Sequence, residues 1–334
     1  MTSSLVFVSH ADSGDLGIFS MADDGTLREE QRIVLGGTLM PMALSLDGRH
    51  LYVARRSEPM AVITLLVDRD KRHIRLVTET PLPASMAYIS IDHTGSVLLA
   101  ASYQGNLLSV SPIDVNGIPG QASQLVPTGP HAHAVITSPC NRFALATCLG
   151  ADQVLQFCWD ELNQQLQANS PAYWQASAGA GPRHLRFHPN TARVYVLNEL
   201  DATIDVLEFD TVHGTLSHQQ TVPTMSGPSL ETPWAADIHI TPDGLFLYSC
   251  ERNTSTIAQF AVDQLTGHLS LVEHIHTEKQ PRGFAISSCG TQLLVAGQAS
   301  HHLSRYHINA QTGALTFEQR LSTGLNPNWI TILT

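Results

Sequence analysis

The sequence predicts an all-β chain that folds as a seven-bladed β-propeller with four strands in each blade. One unit recurs along it: an apolar stretch, a turn rich in Ser, Pro, Asp and Gly, and a second apolar stretch, as in residues 43–53 and 238–248. The copies follow one another at intervals of about 48 residues, which is a propeller-type repeat. The 334 residues of the chain hold seven such intervals.

Each copy of the repeat supplies the strands of one blade. Complete copies occupy residues 43–53, 89–99, 135–145, 185–196, 238–248 and 284–295, and Pro327 opens a truncated seventh. A second hairpin with a glycine at its tip follows most copies, for example at residues 213–216. Two hairpins in succession predict four short antiparallel strands per unit.

The two ends of the chain complete each other. Residues 328–333 predict an inner strand with no hairpin after it, whereas residues 5–8, 16–19 and 27–31 predict three strands with no inner strand before them. We expect the termini to share one blade, because this removes two exposed sheet edges. No Pro/Ser/Gly-rich linker divides residues 1–334, so a single domain is predicted.

Composition excludes several classes of partner. The chain carries 18 basic and 29 acidic residues, a net charge of −11, which offers no electrostatic reason to bind nucleic acid. No apolar run approaches the roughly 20 residues of a membrane span, and the N-terminal sequence lacks the pattern of a secretory signal. No metal-ligand spacing accompanies the histidines. We expect a cytoplasmic protein with no membrane, metal or organic cofactor.

Blade topology predicts which residues gather at one face of the ring. An inner strand and its antiparallel neighbour bring the residue before the first strand and the residue after the second to the same side. These positions are Met40, Ala87, His133, Arg183, Ala236, Arg282 and Pro327, together with Arg56, Tyr103, Leu149, Glu199, Arg252 and Gln298. The arginines could simply be solvated loop residues. Clustered in an acidic protein, however, they would attract a small anion such as a carboxylate or phosphate.

Several of these residues have both a structural and a chemical interpretation. Glu199 could be a general base, or a salt-bridge partner that keeps the arginines apart. His133 could donate a hydrogen bond or shuttle a proton, or be an ordinary loop histidine. His184 and His239 could contact a substrate, or fill space between blades. We expect Glu199 and Arg282 on loops outside the blade core.

Four segments carry a family resemblance over essentially the whole chain: residues 179–190, 234–244, 277–284 and 296–302. Their sequences resemble the bacterial propeller-type 6-phosphogluconolactonases, in the lactonase seven-bladed family. The resemblance implies hydrolysis of 6-phospho-D-glucono-1,5-lactone to 6-phosphogluconate in the pentose phosphate pathway. It also implies that no metal or organic cofactor takes part.

The chain is similar, more distantly, to the fungal carboxymuconate-lactonising enzymes, in which a His, two Arg and a Glu are proposed to act. Arg183 and Glu199 match two of these by motif, and His133 and Arg282 are less close matches. The expected catalytic roles follow: Glu199 or His133 activates water, and Arg183 stabilises the developing oxyanion.

The substrate would be a small anionic phosphosugar lactone. Arg282, with Arg56 or Arg252, is expected to bind its phosphate, and His184 and His239 are further candidates for substrate contact. Two other functions remain open from the sequence. One is a lactone-forming or lactone-opening enzyme of aromatic degradation, whose substrate bears carboxylates. The other is a non-catalytic propeller that serves as a protein-interaction platform.

Overall fold

The computed structural model describes residues 4–225 and 232–334. These residues form seven four-stranded antiparallel sheets, and their only helical element is the 3-10 turn Leu149–Ala151. Each sheet is one blade, so the predicted seven-bladed β-propeller with four strands per blade is confirmed. No helix in the described ranges is long and apolar enough to cross a membrane.

The chain divides into two compact units. The first unit contains Met1–Gly36, His184–Glu208 and His218–Thr334, and the second contains Gly37–Arg183 and Phe209–Ser217. The prediction of a single domain stays a prediction.

The first unit contains blades 1, 6 and 7 and most of blade 5, of which Pro182, Arg183 and Phe209–Ser217 belong to the second unit. The strands of each blade are given from the innermost to the outermost. Blade 1 is formed by β28 (Pro327–Leu333), β1 (Ser4–His10), β2 (Asp15–Met21) and β3 (Leu27–Val34). Blade 5 is formed by β16 (Pro182–Phe187), β17 (Arg193–Asn198), β18 (Thr203–Phe209) and β19 (Leu216–Pro223). Blade 6 is formed by β20 (Ala235–Ile240), β21 (Phe246–Glu251), β22 (Thr256–Val262) and β23 (Leu269–His276). Blade 7 is formed by β24 (Pro281–Ile286), β25 (Gln292–Gly297), β26 (His302–Ile308) and β27 (Leu315–Ser322).

The second unit holds the other three blades. Blade 2 is formed by β4 (Leu39–Leu44), β5 (His50–Arg55), β6 (Ala61–Asp68) and β7 (His73–Pro81). Blade 3 is formed by β8 (Tyr88–Ile91), β9 (Val97–Ser102), β10 (Leu107–Pro112) and β11 (Gln124–Pro127). Blade 4 is formed by β12 (Ala132–Thr137), β13 (Phe143–Cys148), β14 (Gln153–Asp160) and β15 (Gln165–Gln175).

Blade 1 joins the two ends of the chain. Strand β28 pairs antiparallel with β1, with Leu5 opposite Leu333 and Val8 opposite Ile330. The predicted sharing of one blade by the two termini is therefore confirmed. The C-terminal strand covers the edge that β1 would otherwise expose, and Ile330 packs into the buried core of this unit.

The strands change character from the inside of a blade to the outside. The second strands are buried along almost their whole length, as β9 and β13 are, whereas the outer strands β3 and β7 alternate buried or half-buried residues with exposed ones. Continuous apolar runs and period-two alternation are the two sequence patterns that these environments require.

The repeated turn has a local chemical cause. In blade 2, Ser45 donates its hydroxyl hydrogen to Asp47 at 2.6 Å, and the same carboxylate accepts the backbone N–H of Arg49 at 3.0 Å. Gly48 follows with a φ of +67°, a conformation that glycine adopts at no steric cost. Short polar side chains and a glycine thus close the turn without help from the rest of the fold.

Candidate active site

The predicted positions after the second strands lie where the sequence placed them. Arg56 directly follows β5, Glu199 follows β17, and Arg252 follows β21. Each therefore begins the turn at the same end of its blade, next to the start of the inner strand.

Most of the predicted positions before the inner strands lie inside the strands, and only Ala87 directly precedes its strand, β8, as predicted. His133, Arg183 and Arg282 are the second residues of β12, β16 and β24, so the expectation that Arg282 lies on a loop is wrong. The cause is a β-bulge: Pro281 and Gly283 pair with the neighbouring strand, and Arg282 is the extra residue between them. His133 occupies the same place in β12. A bulge re-aims the extra side chain, and bulges occur often beside active sites.

An ion pair in the first unit holds the predicted base. The Oε2 atom of Glu199 lies 3.0 Å from Nη2 of Arg252, and the two side chains are only 13% and 3% exposed. Coulomb attraction between partners so poorly solvated is much stronger than at an open surface. The salt-bridge role foreseen for Glu199 is present, and it does not exclude the role of a base, because the carboxylate keeps further lone pairs.

Arg252 is anchored from several sides. Its Nε donates to the carbonyl oxygen of Trp234 at 3.0 Å, and its Nη2 donates to that of Ala235 at 3.0 Å. The guanidinium also lies 3.8 Å from the centroid of the Trp234 ring, a cation–π contact. These contacts fix the guanidinium and, through the ion pair, the carboxylate of Glu199. The N–H groups of Arg252 therefore donate largely to groups within the protein.

A buried carboxylate that the sequence analysis did not single out organises the two histidines. Nδ1 of His184 lies 2.8 Å from Oδ1 of Asp237, and Nε2 of His239 lies 3.2 Å from Oδ2. Asp237 also accepts the backbone N–H of Ile238 at 2.9 Å and is 6% exposed. Burial alone would raise the pKa of Asp237, but the charges and hydrogen bonds of His239 and His184 hold it well below its usual range.

The contact with Asp237 sets the tautomer of His184. A carboxylate only accepts hydrogen bonds, so the Nδ1 atom of His184 carries the proton and Nε2 bears the lone pair when the ring is neutral. The ring of His184 meets that of Trp329 edge-on at 5.9 Å, and the ring of His239 meets Phe284 at 4.7 Å. An oriented imidazole of this kind can accept a proton or a substrate hydrogen bond.

His239 has a second charged neighbour besides Asp237. The guanidinium of Arg186 lies 3.3 Å from Nε2 of His239 and 3.8 Å from Oδ1 of Asp237. Burial first, and then the positive charge of Arg186, lower the pKa of His239, against the opposing effect of Asp237. At neutral pH this histidine is therefore uncharged.

In the second unit, Arg56 feels the charge of a second arginine. Burial, and next the positive charge of Arg183, lower the pKa of Arg56. The guanidinium of Arg56 donates to the hydroxyl of Ser85 at 3.1 Å and contacts the sulfur of Met40 at 2.9 Å. Within residues 4–225 and 232–334, no carboxylate lies at ion-pair distance from Arg56. Among these described residues, the positive charge of Arg56 therefore has no close acidic partner.

A threonine couples the strands that carry the other two predicted catalytic residues. Thr147 accepts the backbone N–H of Ala134 at 3.0 Å and donates its hydroxyl hydrogen to the carbonyl oxygen of Arg183 at 2.6 Å. His133, next to Ala134, and Arg183 are 4% and 2% exposed. The structure thus links the backbones beside these two residues through a single side chain.

Aromatic rings surround His133. Its ring meets that of Tyr103 edge-on at 6.0 Å, and Tyr103 stacks on His131 at 4.1 Å. His131 has a φ of +64° and its backbone N–H donates to Asn106 at 2.8 Å. Tyr103 was one of the positions predicted to follow a second strand, and it does.

Among residues 4–225 and 232–334, no three His, Cys, Asp or Glu side chains are grouped so that they could hold a metal ion.

Sequence comparisons place this arrangement in a family. A family model described as the seven-bladed β-propeller lactonases matches residues 3–332. The chain belongs to this lactonase family. It is 36% identical over 332 residues to a 6-phosphogluconolactonase of Pectobacterium carotovorum, covering 98% of each chain. It is also 36% identical over 327 residues to a 6-phosphogluconolactonase of Cronobacter sakazakii, covering 98% of this chain and 97% of the other.

A solved structure supports the fold of this lactonase-family chain. A periplasmic gluconolactonase of Pseudomonas aeruginosa superposes with a TM-score of 0.92 at 24% identity, and 99% of each chain is covered. At that identity the likeness concerns the fold.

Asp237 and Trp234 are the residues that sequence reasoning missed. Asp237 interrupts an apolar strand, Ala235–Ile240, and a carboxylate in a buried strand requires partners. That signal was available in the sequence. Trp234 immediately precedes the strand, and nothing in its position indicated that Arg252 would lie over its ring.

Proposed function

We propose that this protein hydrolyses 6-phospho-D-glucono-1,5-lactone to 6-phosphogluconate, as expected of an enzyme of the pentose phosphate pathway. Two kinds of support favour this lactonase activity: membership of the lactonase family over residues 3–332, and full-length relatives named for this reaction. The observation that carries the catalytic proposal is the ion pair between Glu199 and Arg252, since it holds a carboxylate in a fixed, largely water-excluded place.

Lactone hydrolysis requires a base, a stabiliser of negative charge and a binding group for the substrate. In our proposal Glu199 removes a proton from water, and the water oxygen bonds to the lactone carbonyl carbon. The ester bond to the ring oxygen then breaks, and the ring oxygen takes up a proton to become a hydroxyl group. The product is the open-chain acid, which ionises at neutral pH.

Arg183 is proposed to stabilise the oxyanion of the tetrahedral intermediate. Its deep burial supports this role, since charge stabilisation is strongest where water is excluded. His133 is the alternative base. It is as deeply buried as Arg183, and its place in a bulge is suited to directing a functional side chain.

Arg282 and Arg56 are proposed to bind the phosphate, and Arg252 is proposed to position Glu199. The contacts favour Arg56 over Arg252 as a ligand for the phosphate. Arg252 already donates to two carbonyl groups and a carboxylate, whereas Arg56 lacks a close acidic partner within the described ranges. His184, oriented by Asp237, and His239 remain proposed substrate contacts.

A coupled assay tests the proposed reaction. Glucose-6-phosphate dehydrogenase generates the lactone in situ, and 6-phosphogluconate dehydrogenase reports each product molecule. Purified wild-type protein should raise the rate well above spontaneous hydrolysis, and Glu199→Gln should return it towards that background. A rate no faster than buffer alone would refute the proposed function. D-Glucono-1,5-lactone, which lacks the phosphate, measures what that group contributes.

The same assay separates the alternative function. An enzyme of aromatic degradation would open a carboxylate-bearing muconolactone faster than the phosphosugar lactone. We further propose that the protein acts in the cytoplasm, where a phosphorylated sugar substrate is retained; detection of the protein in a periplasmic fraction would contradict this.

A further inference from the structure

The second unit contains a cavity of about 630 Å³, and none of the candidate active-site residues of that unit lines it. It is bordered by the turn between β4 and β5, the turn between β8 and β9, and the loop after β10. We call it the distal cavity. Its polar lining includes Asp47, Arg49, His50, Arg75, Asp114 and Asn116.

The distal cavity lies at the opposite end of a hairpin from Arg56. The turn at residues 45–49 follows the last residue of β4, whereas Arg56 follows the last residue of β5. Since these strands run antiparallel, the two places are separated by the length of a six-residue strand, about 20 Å. The cavity is therefore separate from the candidate phosphate-binding residue of this blade.

The residues that line one side of the cavity are held in place by contacts among themselves. Tyr52 is fully buried and donates its hydroxyl hydrogen to the carbonyl oxygen of Gly117 at 2.9 Å. The ring of His50 lies nearly parallel to that of Tyr52, at 6.3 Å. Gly117 has a φ of +77°, and a Cβ there would come within 2.5 Å of the His50 ring. The loop approaches this closely because its residue has no side chain.

The acidic groups of the cavity are already engaged in its turns. Asp47 accepts the hydroxyl of Ser45 and the N–H of Arg49. Asp114 accepts the backbone N–H groups of Asn116 at 2.9 Å and Ile118 at 2.8 Å. These carboxylates hold their own loops together.

The basic groups of the cavity are not engaged in the same way. The guanidinium groups of Arg49 and Arg75 make no hydrogen bond or ion pair with any residue in the described ranges. Burial is the main cause that lowers the pKa of His50, so this ring is uncharged at neutral pH. The charge of Arg49 interacts with that of Asp47, but no hydrogen bond joins the two side chains in the described ranges, so both guanidinium groups can still donate to an anion. Such groups match the paired oxygens of phosphate and carboxylate.

The rim of the cavity is apolar. Leu46, Val77 and Val115 line it and are 61%, 40% and 101% exposed. The cavity volume lies in the range of small-molecule sites. An anion with a compact apolar body would satisfy both the arginines and this rim, whereas a bare inorganic ion would use only the former.

We propose that the distal cavity is a second binding site, for a small organic anion whose phosphate or carboxylate group is held by Arg49 and Arg75. This inference is independent of the proposed lactonase activity.

Isothermal titration calorimetry at low ionic strength tests the site with defined probes. Phenyl phosphate and phenylacetate carry an anionic group on an apolar body and distinguish phosphate from carboxylate. Inorganic phosphate and benzyl alcohol each present only half of that combination. We expect saturable binding of phenyl phosphate or phenylacetate that is tighter than binding of either half. Absence of saturable binding by both aromatic anions would overturn the proposal.

Variants assign the binding to the cavity. Arg49→Ala and Arg75→Ala should each weaken it by about 10-fold or more, as expected for a lost charge-assisted contact. Arg28→Ala removes an exposed arginine that does not line the cavity and should leave affinity within about 2-fold. All three positions are exposed, so the variants should unfold at the wild-type temperature.

The proposal would be overturned if binding were unchanged in Arg49→Ala and Arg75→Ala but lost in Arg56→Ala or Arg282→Ala. The ligand would then bind at the candidate active site and not in the distal cavity. Loss of lactonase activity has no bearing on this result, because the measurement is of binding alone.

Discussion

In the first unit, the candidate charges are paired within the protein: Glu199 with Arg252, and Asp237 with His184 and His239. In the second unit, Arg56 lies near Arg183 without a carboxylate at ion-pair distance in the described ranges. Neutralised groups are suited to holding a base in one orientation. An arginine without an acidic partner is suited to receiving an anion from outside. The difference concerns two tasks, holding Glu199 in place and receiving an anion at Arg56, and not the units as wholes, because Arg183 and His133 belong to the second unit and Arg282 to the first.

The largest expected effect concerns how the first unit is built. Deletion of Asn328–Thr334 removes most of strand β28 and exposes the edge of β1. We expect an insoluble or poorly folded chain, because blade 1 loses its inner strand and the core loses Ile330. Thermal unfolding followed by circular dichroism checks this. A deletion variant that melts as cooperatively and at the same temperature as the wild type would contradict the blade assignment.

The next prediction tests whether the Glu199–Arg252 pair is catalytic or only structural. Glu199→Gln preserves shape and hydrogen bonding but cannot take a proton from water. The kcat of the lactonase reaction should fall by roughly 10²–10⁴, with little change in KM. Steady-state kinetics in the coupled assay measure both.

His133→Gln is the matched comparison for the base. If its kcat falls further than that of Glu199→Gln, His133 is the base and Glu199 is a structural partner of Arg252. If kcat is unchanged in both variants, neither Glu199 nor His133 is the base, and the Glu199–Arg252 ion pair is only structural.

A third prediction tests the anion-binding side of the comparison. Arg56→Ala and Arg282→Ala should weaken substrate binding by about 1.5–3 kcal/mol, the cost of a lost charge-assisted hydrogen bond. Inhibition by inorganic phosphate should weaken in parallel, while kcat changes less. Arg252→Ala should lower kcat and change substrate binding less. The acid limb of the pH profile of kcat should move to higher pH, because Glu199 loses its counter-charge.

The kcat, the KM and the phosphate inhibition constant of these three variants show which arginines bind the substrate and which one supports turnover. Should Glu199→Gln impair binding alone while Arg282→Ala abolishes turnover alone, the assigned roles are reversed.

The smallest expected effect is on acid stability. The pKa of Asp237 is held well below its usual range in the folded protein. Its contribution to stability is therefore present above about pH 4, the ordinary pKa of Asp, and is lost as the pH falls through the lower folded value. Below pH 4 the free energy of unfolding should decline more steeply for the wild type than for Asp237→Asn, by at most about 1.4 kcal/mol per pH unit.

Urea unfolding at a series of pH values measures this difference. Asp70→Asn, at an exposed position, is the control and should follow the wild type. Equal slopes for the wild type and Asp237→Asn would show that the Asp237 cluster does not hold its carboxylate ionised.

Much of the fold was predictable because its causes are local. The turn at Ser45–Gly48 closes by its own hydrogen bonds. Because such turns recur along the chain at a constant spacing, they predict seven blades. The positions that follow second strands, such as Arg56 and Glu199, were also predictable, since strand alternation and turn length determine them.

The positions in the inner strands were less predictable. Arg282 was expected on a loop, but a bulge keeps the strand paired through Pro281 and makes Arg282 the extra residue. A bulge forms where the pairing register of two neighbouring strands shifts by one residue. The sequence of one strand alone does not determine that register.

The sequence by itself determined the blade repeat, the shared blade of the termini and the residue types placed at one end of the strands, because these follow from hydrophobic periodicity and turn chemistry. Only the tertiary structure decided that Arg252 pairs with Glu199 and that Asp237 orients His184, residues 53 positions apart in the chain. Ionic and hydrogen-bonded pairing depends on distances of about 3 Å between side chains of different strands. Such distances exist only once the strands have packed.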